Sequence, residues 1–96
     1  MAQQKCIPQL KALADPTRWS IVGELLQKPR TIGELTQRLT VSQYNVSKHI
    51  RILREAGIVE THREGRSVKC AVEPKLHKSL SRKKPELDLG CCKFQF

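Results

Sequence analysis

Between Gln43 and Arg51 the chain carries a dense set of hydrogen-bonding side chains: Gln43, Tyr44, Asn45, Ser47, Lys48 and Arg51. On a wheel of about 100° per residue, Val46, Ile50 and Leu53 share one side, and Tyr44, Ser47, Lys48 and Arg51 face the other. An apolar stripe opposed by hydroxyls, amides and cations is the chemistry a helix needs to lie in the major groove of duplex DNA. The competing reading of such a helix in isolation is a merely solvated face, and only its flanks can decide between the two. A second group with chemical potential is the four cysteines, Cys6, Cys70, Cys91 and Cys92, of which the last two are adjacent. In a chain expected to reside in the cytoplasm, such a set argues for soft-ion binding or redox chemistry over structural disulfides.

The elements that would position these residues follow from spacing. Cys6, Ile7, Leu10, Leu13 and Ala14 recur at helical intervals, which predicts a first helix from about Gln4 to Ala14 with Pro8 near its beginning. Asp15-Pro16 is an N-cap followed by a good first helical residue. It opens a second helix whose wide apolar face is Trp19, Val22 and Leu26 flanked by Ile21 and Leu25, closed by Lys28-Pro29. Thr31 and Glu34 form a capping-box pair ahead of Ile32, Leu35 and Leu39. Ser42 is the expected N-cap of the next helix, which places Gln43, Tyr44 and Asn45 in its first turn, and Gly57 closes it. Two short amphipathic helices broken at Leu39-Thr40-Val41 have the layout of a helix-turn-helix.

From Ile58 the period changes to alternation. The runs Ile58–Arg63 and Arg66–Val72, joined at Glu64-Gly65, read as a β-hairpin, which directly behind a helix-turn-helix is a wing. Arg63 and Arg66 bracket its tip, within reach of a DNA backbone or minor groove, although hairpin tips are often simply polar. Cys70 shares a strand face with Val68 and Val72 and reads as core. The expected fold is therefore mainly α with a small β-hairpin, a winged helix-turn-helix over residues 1–80, followed by a C-terminal arm over 81–96. Ahead of that arm Leu76 and Leu80 suggest a short helix; within it Arg82-Lys83-Lys84 reads as a solvated linker and Leu87–Phe96 as an alternating strand or extended arm seeking another surface.

Composition points the same way. With 96 residues and a formal charge of +9, this is one small basic domain biased toward polyanions. The aromatic content of 4% is too low for the stacking platform of a single-strand binder, so duplex DNA is the expected ligand. No run approaches the roughly 18 apolar residues of a membrane span, and no membrane partner is expected. An enzyme is not expected either: there is no phosphate-binding glycine loop, no Cys-x-x-Cys, and too small a core for a sizeable pocket. A winged helix serving only as an interaction module remains the competing class.

Leu13-Ala14-Asp15-Pro16-Thr17-Arg18 resembles a signature of the ArsR/SmtB family of bacterial winged-helix repressors. The similarity continues through Thr31–Leu35, Ser42-Gln43, Ser47–Leu53, Glu55–Val59 and the Arg63-Glu64-Gly65-Arg66 wing, covering about residues 6 to 76. The resemblance implies a homodimeric, sequence-specific repressor that leaves a palindromic operator when an inducer binds, often a metal or metalloid ion. The recognition helices of the two subunits would meet successive major grooves about 34 Å apart. Within Gln43, Tyr44, Asn45, Ser47, Lys48 and Arg51, amides suit adenine and a guanidinium suits guanine, so Gln43, Asn45 and Arg51 are the base-edge candidates, with Ser47 and Lys48 on phosphates. His49 falls nearer the apolar stripe and reads as a packing or hydrogen-bonding residue.

The chain departs from the family's metal patterns in two places. Thr31–Leu39 holds neither cysteine nor histidine, and Glu73, His77 and Asp88 do not repeat on one helical face. No cofactor is required, and attention moves to the cysteines. Cys91 and Cys92 supply two sulfurs to one thiophilic ion such as As(III) or Sb(III), and Cys6 a third if the termini meet at a dimer interface. The same pair could instead serve as a reversible oxidation sensor, or pack as two small apolar residues.

Overall fold

The computed structural model describes residues 6–77 and 85–96. The start of the first helix before Cys6, Leu80 and the Arg82-Lys83-Lys84 cluster lie outside the described residues. Four helices come first: α1 (Ile7–Leu13), α2 (Pro16–Gln27), α3 (Ile32–Leu39) and α4 (Gln43–Glu55). Between α2 and α3 sits a two-residue strand, β1 (Arg30–Thr31); β2 (Val59–Glu64) and β3 (Ser67–Val72) follow α4, and β4 (Glu86–Asp88) and β5 (Lys93–Gln95) end the chain.

The helix starts are made by the residues that sequence spacing singles out. Asp15 accepts hydrogen bonds from the backbone N–H groups of Thr17 and Arg18, satisfying two donors that have no partner inside α2. Thr31 Oγ1 accepts from Glu34 N at 3.1 Å while Glu34 Oε1 accepts from Thr31 N at 3.0 Å, a complete capping box. Ser42 Oγ accepts from Asn45 N, which sets the first turn of α4. Between α3 and α4, Thr40 takes the left-handed conformation at φ 54°, and this single residue redirects the chain.

These helices enclose one core. Ile21, Val22, Leu25 and Leu26 of α2, Leu35 of α3, and Val46, Ile50 and Leu53 of α4 are all buried, together with Ile58, Val59, Cys70 and Val72 from the sheet side. The wing strands pair antiparallel from Val59 opposite Val72 to Glu64 opposite Ser67, and Gly65 at φ 62° makes their turn. β3 also pairs with β1, Arg30 opposite Cys70, so the sheet has three strands in the order β1-β3-β2. The third strand was not expected from sequence.

That short strand is anchored by charge. Arg30 is buried, and its guanidinium bonds Glu24 at 3.2 Å and Gln27 Oε1 at 3.1 Å; Glu24 also takes Arg38 of α3 at 2.6 Å. One carboxylate thus ties α2, β1 and α3 together. The half-turn Pro74–Leu76 that follows β3 is 3-10 rather than α-helical.

The C-terminal segment differs from a single extended run. It doubles back at Gly90, φ 91°, whose N–H donates to the Asp88 side chain, and β4 and β5 pair from Glu86 opposite Gln95 to Asp88 opposite Lys93. This hairpin docks on its own domain. Leu87 and Leu89 are buried, and Trp19 of α2 packs edge-on to Phe94 and stacks on Phe96 with ring centroids 4.1 Å apart.

Removing Glu24 leaves the buried Arg30 without its main partner, so Glu24→Ala is expected to lower stability by about 2 kcal/mol or more, as urea unfolding followed by far-UV circular dichroism would register. Glu34→Ala, which breaks an exposed cap, should lower stability by clearly less than Glu24→Ala in the same measurement.

Candidate nucleic-acid interface and thiol cluster

Helix α4 is held by one side only. Val46, Ile50 and Leu53 are at most 2% exposed, whereas Gln43, Tyr44, Asn45, Ser47, Lys48, Arg51 and Arg54 all reach solvent. Tyr44 is 78% exposed, the most of any large apolar side chain among the described residues. The six residues chosen from sequence are therefore all exposed, with Tyr44, Ser47, Lys48 and Arg51 opposite the buried stripe and Gln43 and Asn45 in the first turn to either side of it.

The wing frames that surface. Tyr44, Ser47, Lys48 and Arg51 line a cleft of about 410 Å³ between α4 and the hairpin, with Thr61 and Val68 forming the hairpin side. Arg54 lines it as well and donates to Thr61 Oγ1 at 3.4 Å, bridging helix and wing. Sequence reasoning left Arg54 out, although on the same wheel it falls about 20° from Ser47. Gln43 and Asn45 lie beside the cleft at the first turn of α4, and Arg63 and Arg66 are exposed around the hairpin tip. Arg51 reaches only 4.0 Å from Glu55, with both side chains about two-thirds exposed, an ion pair too weak to restrain it. The result is a cationic groove flanked by amides and hydroxyls, suited to an extended polyanion.

A separate site forms where the two ends of the chain meet. Cys6, at the start of α1, is buried, and its sulfur is bonded to that of Cys91 in the β4–β5 turn, with the Cα atoms 6.6 Å apart. Cys92 is free, and its Sγ lies 4.0 Å from Cys91 Sγ. The three sulfurs singled out from sequence are thus brought together within one subunit. Cys6 Sγ also lies 3.7 Å from the Leu89 carbonyl, which a thiol hydrogen could use once the pair is reduced. Among the described residues, no three His, Cys, Asp or Glu side chains are arranged as free ligands to a metal ion. Three thiols become available together only when the Cys6–Cys91 bond opens.

Cys70 stands apart. It is fully buried in β3, and burial pushes its thiol up to about 11 against the opposing influence of Arg54, so it stays protonated at neutral pH and takes no part in thiolate chemistry.

The fold and this surface define a winged helix-turn-helix domain, and comparison with known proteins agrees. A family model described as a helix-turn-helix domain matches residues 13–62. The transcriptional repressor SmtB of Mycobacterium tuberculosis is 46% identical over 59 residues, an alignment that takes in 62% of this chain and 44% of that protein. Among solved structures, reduced HlyU from Vibrio cholerae superposes with a TM-score of 0.72 at 35% identity, covering 75% of this chain and 76% of the other. An ArsR family transcriptional regulator superposes at 0.68 with 34% identity, over 76% and 75% of the two chains. The chain belongs to the ArsR/SmtB family of winged-helix transcriptional regulators. It spans about half the length of the curated relatives it matches, from 44% of the mycobacterial repressor to 64% of the repressor SdpR of Bacillus subtilis.

If the groove takes a duplex, its residues should divide by role. Lys48→Ala is expected to weaken binding to all duplexes alike and to reduce the salt dependence by about one counterion. Arg51→Ala is expected to cost about 1–3 kcal/mol on a preferred sequence and to blunt discrimination against mutated ones. Fluorescence anisotropy across a salt series separates these outcomes.

Proposed function

We propose that this chain is a homodimeric, sequence-specific DNA-binding repressor whose operator affinity is controlled through Cys6, Cys91 and Cys92. The observation that carries the DNA-binding part is the division of α4 between a fully buried Val46–Ile50–Leu53 stripe and an exposed face of Gln43, Tyr44, Asn45, Ser47, Lys48, Arg51 and Arg54 framed by the wing. Two copies related by a dyad would present this face to successive major grooves of a palindromic site. The dimer contact falls naturally to α1, where Ile7 and Leu10 are 48% and 38% exposed although both are large and apolar.

For the inducer, a trivalent metalloid such as arsenite fits the donor chemistry. Soft thiolates select such an ion, and Cys91 and Cys92, reachable from solvent, would capture it before the buried Cys6 completes the set. Cys6 begins α1 and Cys91 belongs to the docked hairpin, so a ligand joining them acts at the junction between hairpin and dimer helix. A hundredfold loss of operator affinity requires about 2.7 kcal/mol of differential binding, which a few metal–sulfur bonds can supply.

A second reading is favoured by the bond between Cys6 and Cys91. Here the signal is an oxidant such as a hydroperoxide: the two thiols give up two electrons and two protons to form the disulfide, and the hydroperoxide is reduced to an alcohol and water. The two readings separate on Cys92, which three-sulfur metalloid binding uses and the Cys6–Cys91 disulfide does not.

Release of a duplex selected by the wild-type chain from a random pool tests both. Under the metalloid reading, arsenite releases reduced wild-type protein, while Cys92→Ser weakens the response and Cys91→Ser with Cys92→Ser abolishes it with duplex binding intact. Under the oxidation reading, a hydroperoxide releases wild-type and Cys92→Ser alike and leaves Cys91→Ser bound. A double variant that still responds to both agents rules out the thiol cluster as the sensor. Trp19, the one tryptophan, stacks on Phe96, so its emission reports in the same titration whether the hairpin stays docked.

A further inference from the structure

Arg18 makes a contact that neither DNA recognition nor thiol chemistry uses. Its guanidinium lies where α1, α2 and α4 converge: Nε donates to the Ala12 carbonyl near the end of α1, and Nη1 lies 3.2 Å from Nδ1 of His49 on α4. The Ala12 carbonyl belongs to the last turn of a helix that ends at Leu13, where carbonyls have no partner within the helix. Arg18 therefore caps one helix while gripping another.

The chemistry of the grip is one-sided. A guanidinium has donors and no acceptor, so Nδ1 of His49 must offer its lone pair, which fixes the imidazole as the neutral tautomer with hydrogen on Nε2. His49 is half-buried and sits directly between Lys48, which faces the groove, and Ile50, which is core. A bond at this point ties α4, between a groove residue and a core residue, to the ends of α1 and α2. Resting on the DNA-binding reading above, we propose that Arg18 is a positioning residue for the recognition helix, acting through His49, and that protonation of His49 releases the helix and weakens operator binding.

The surroundings favour such a release. Asp15, one turn before Arg18, is held below the ordinary carboxylate range first by the Arg18 backbone N–H and then, against the opposing effect of burial, by the Arg18 charge and the Thr17 N–H, so it stays ionised at neutral pH. It balances one cation at this corner, and a protonated His49 would add a second while removing the acceptor. Lys11 of α1 and Glu55 of α4 line, with Arg18, Ala12 and Ile52, an open cleft of about 380 Å³ beside the guanidinium. On the remaining elements packed against α4, Glu34 and Arg38 of α3 are engaged by Thr31 and Glu24, and Glu60 of β2 lies 3.4 Å from His62.

The test combines two measurements on the full chain. Nitrogen chemical shifts of the His49 imidazole at about pH 8 should show Nδ1 unprotonated, and in Arg18→Lys that preference should relax, because one ammonium cannot span both Ala12 and His49. Binding to a duplex selected by the wild-type chain is then followed from about pH 8 to about pH 5.5, the range in which histidine titrates. His49→Gln, whose amide oxygen can still accept from Arg18, should bind like wild type at the upper end and lose the acid weakening, with His62 and His77 present in both proteins. Arg18→Lys should lose about tenfold on the selected duplex and little on a scrambled one. A wild-type chain that binds tightly with a pH profile shared by His49→Gln, or an Nδ1 that carries the proton, overturns the inference and leaves DNA binding standing. A wild-type chain that selects no duplex overturns both. Should Arg18→Lys fail to fold by circular dichroism, the His49→Gln profile decides.

Discussion

The insertion of Val46, Ile50 and Leu53 into the core is the constraint on which the remaining structure turns. These three side chains lie within about 60° on the helix, and burying them leaves the rest of α4 no choice but to face outward. At about 1.5–3 kcal/mol for each buried aliphatic side chain, no surface interaction in a domain this small competes with them. That burial sets the overall direction in which the cations of the groove point. The capping box of α3, the left-handed Thr40 and the Ser42 cap determine where α4 begins; the apolar stripe determines which way it points.

Around that fixed helix the molecule places two devices that hold neighbouring elements by few bonds. Glu24 gathers Arg30 and Arg38, closing the junction from which α3 and the sheet depart. Arg18 gathers the end of α1 and His49 at the opposite side of α4. Beyond them, the C-terminal hairpin is clamped by aromatic stacking on Trp19 and by the Cys6–Cys91 bond. Because Cys6 lies at the start of the helix whose end Arg18 caps, changes at the thiols and changes at the recognition helix share α1 as a common rigid body. Among the described residues, that helix carries two of the four exposed large apolar side chains, Ile7 and Leu10, the others being Trp19 of α2 and Tyr44 of α4.

What could be read from the residues alone was whatever depends on neighbours in sequence. Asp15-Pro16, Thr31 with Glu34, Ser42 and the Glu64-Gly65 turn act over two to four residues, and each appears at the expected place. The periodicity of α4 is equally local, which is why its outward face was legible apart from Arg54, passed over near the helix end. Features made by distant residues were not. β1 is two residues long and leaves no pattern; it exists because β3 offers it an edge. The tail alternates on both sides of Gly90, and alternation cannot distinguish a straight run from a hairpin; the left-handed glycine and the Asp88 bond decide for the hairpin. The joining of Cys6 to Cys91 spans 85 positions, and the contact of Arg18 with His49 spans 31; neither has a local signal.

The central claim, that α4 enters a duplex groove with its cationic side forward, is tested most directly by mapping amide chemical-shift changes as the isotope-labelled chain is titrated with a selected duplex. The account predicts changes concentrated on Gln43 to Arg54 and on the wing tip at Arg63 to Arg66, with the amides of Ile21, Val22 and Leu25 undisturbed. Changes confined to α1 and the C-terminal hairpin, with Lys48 and Arg51 unmoved at saturation, would contradict it.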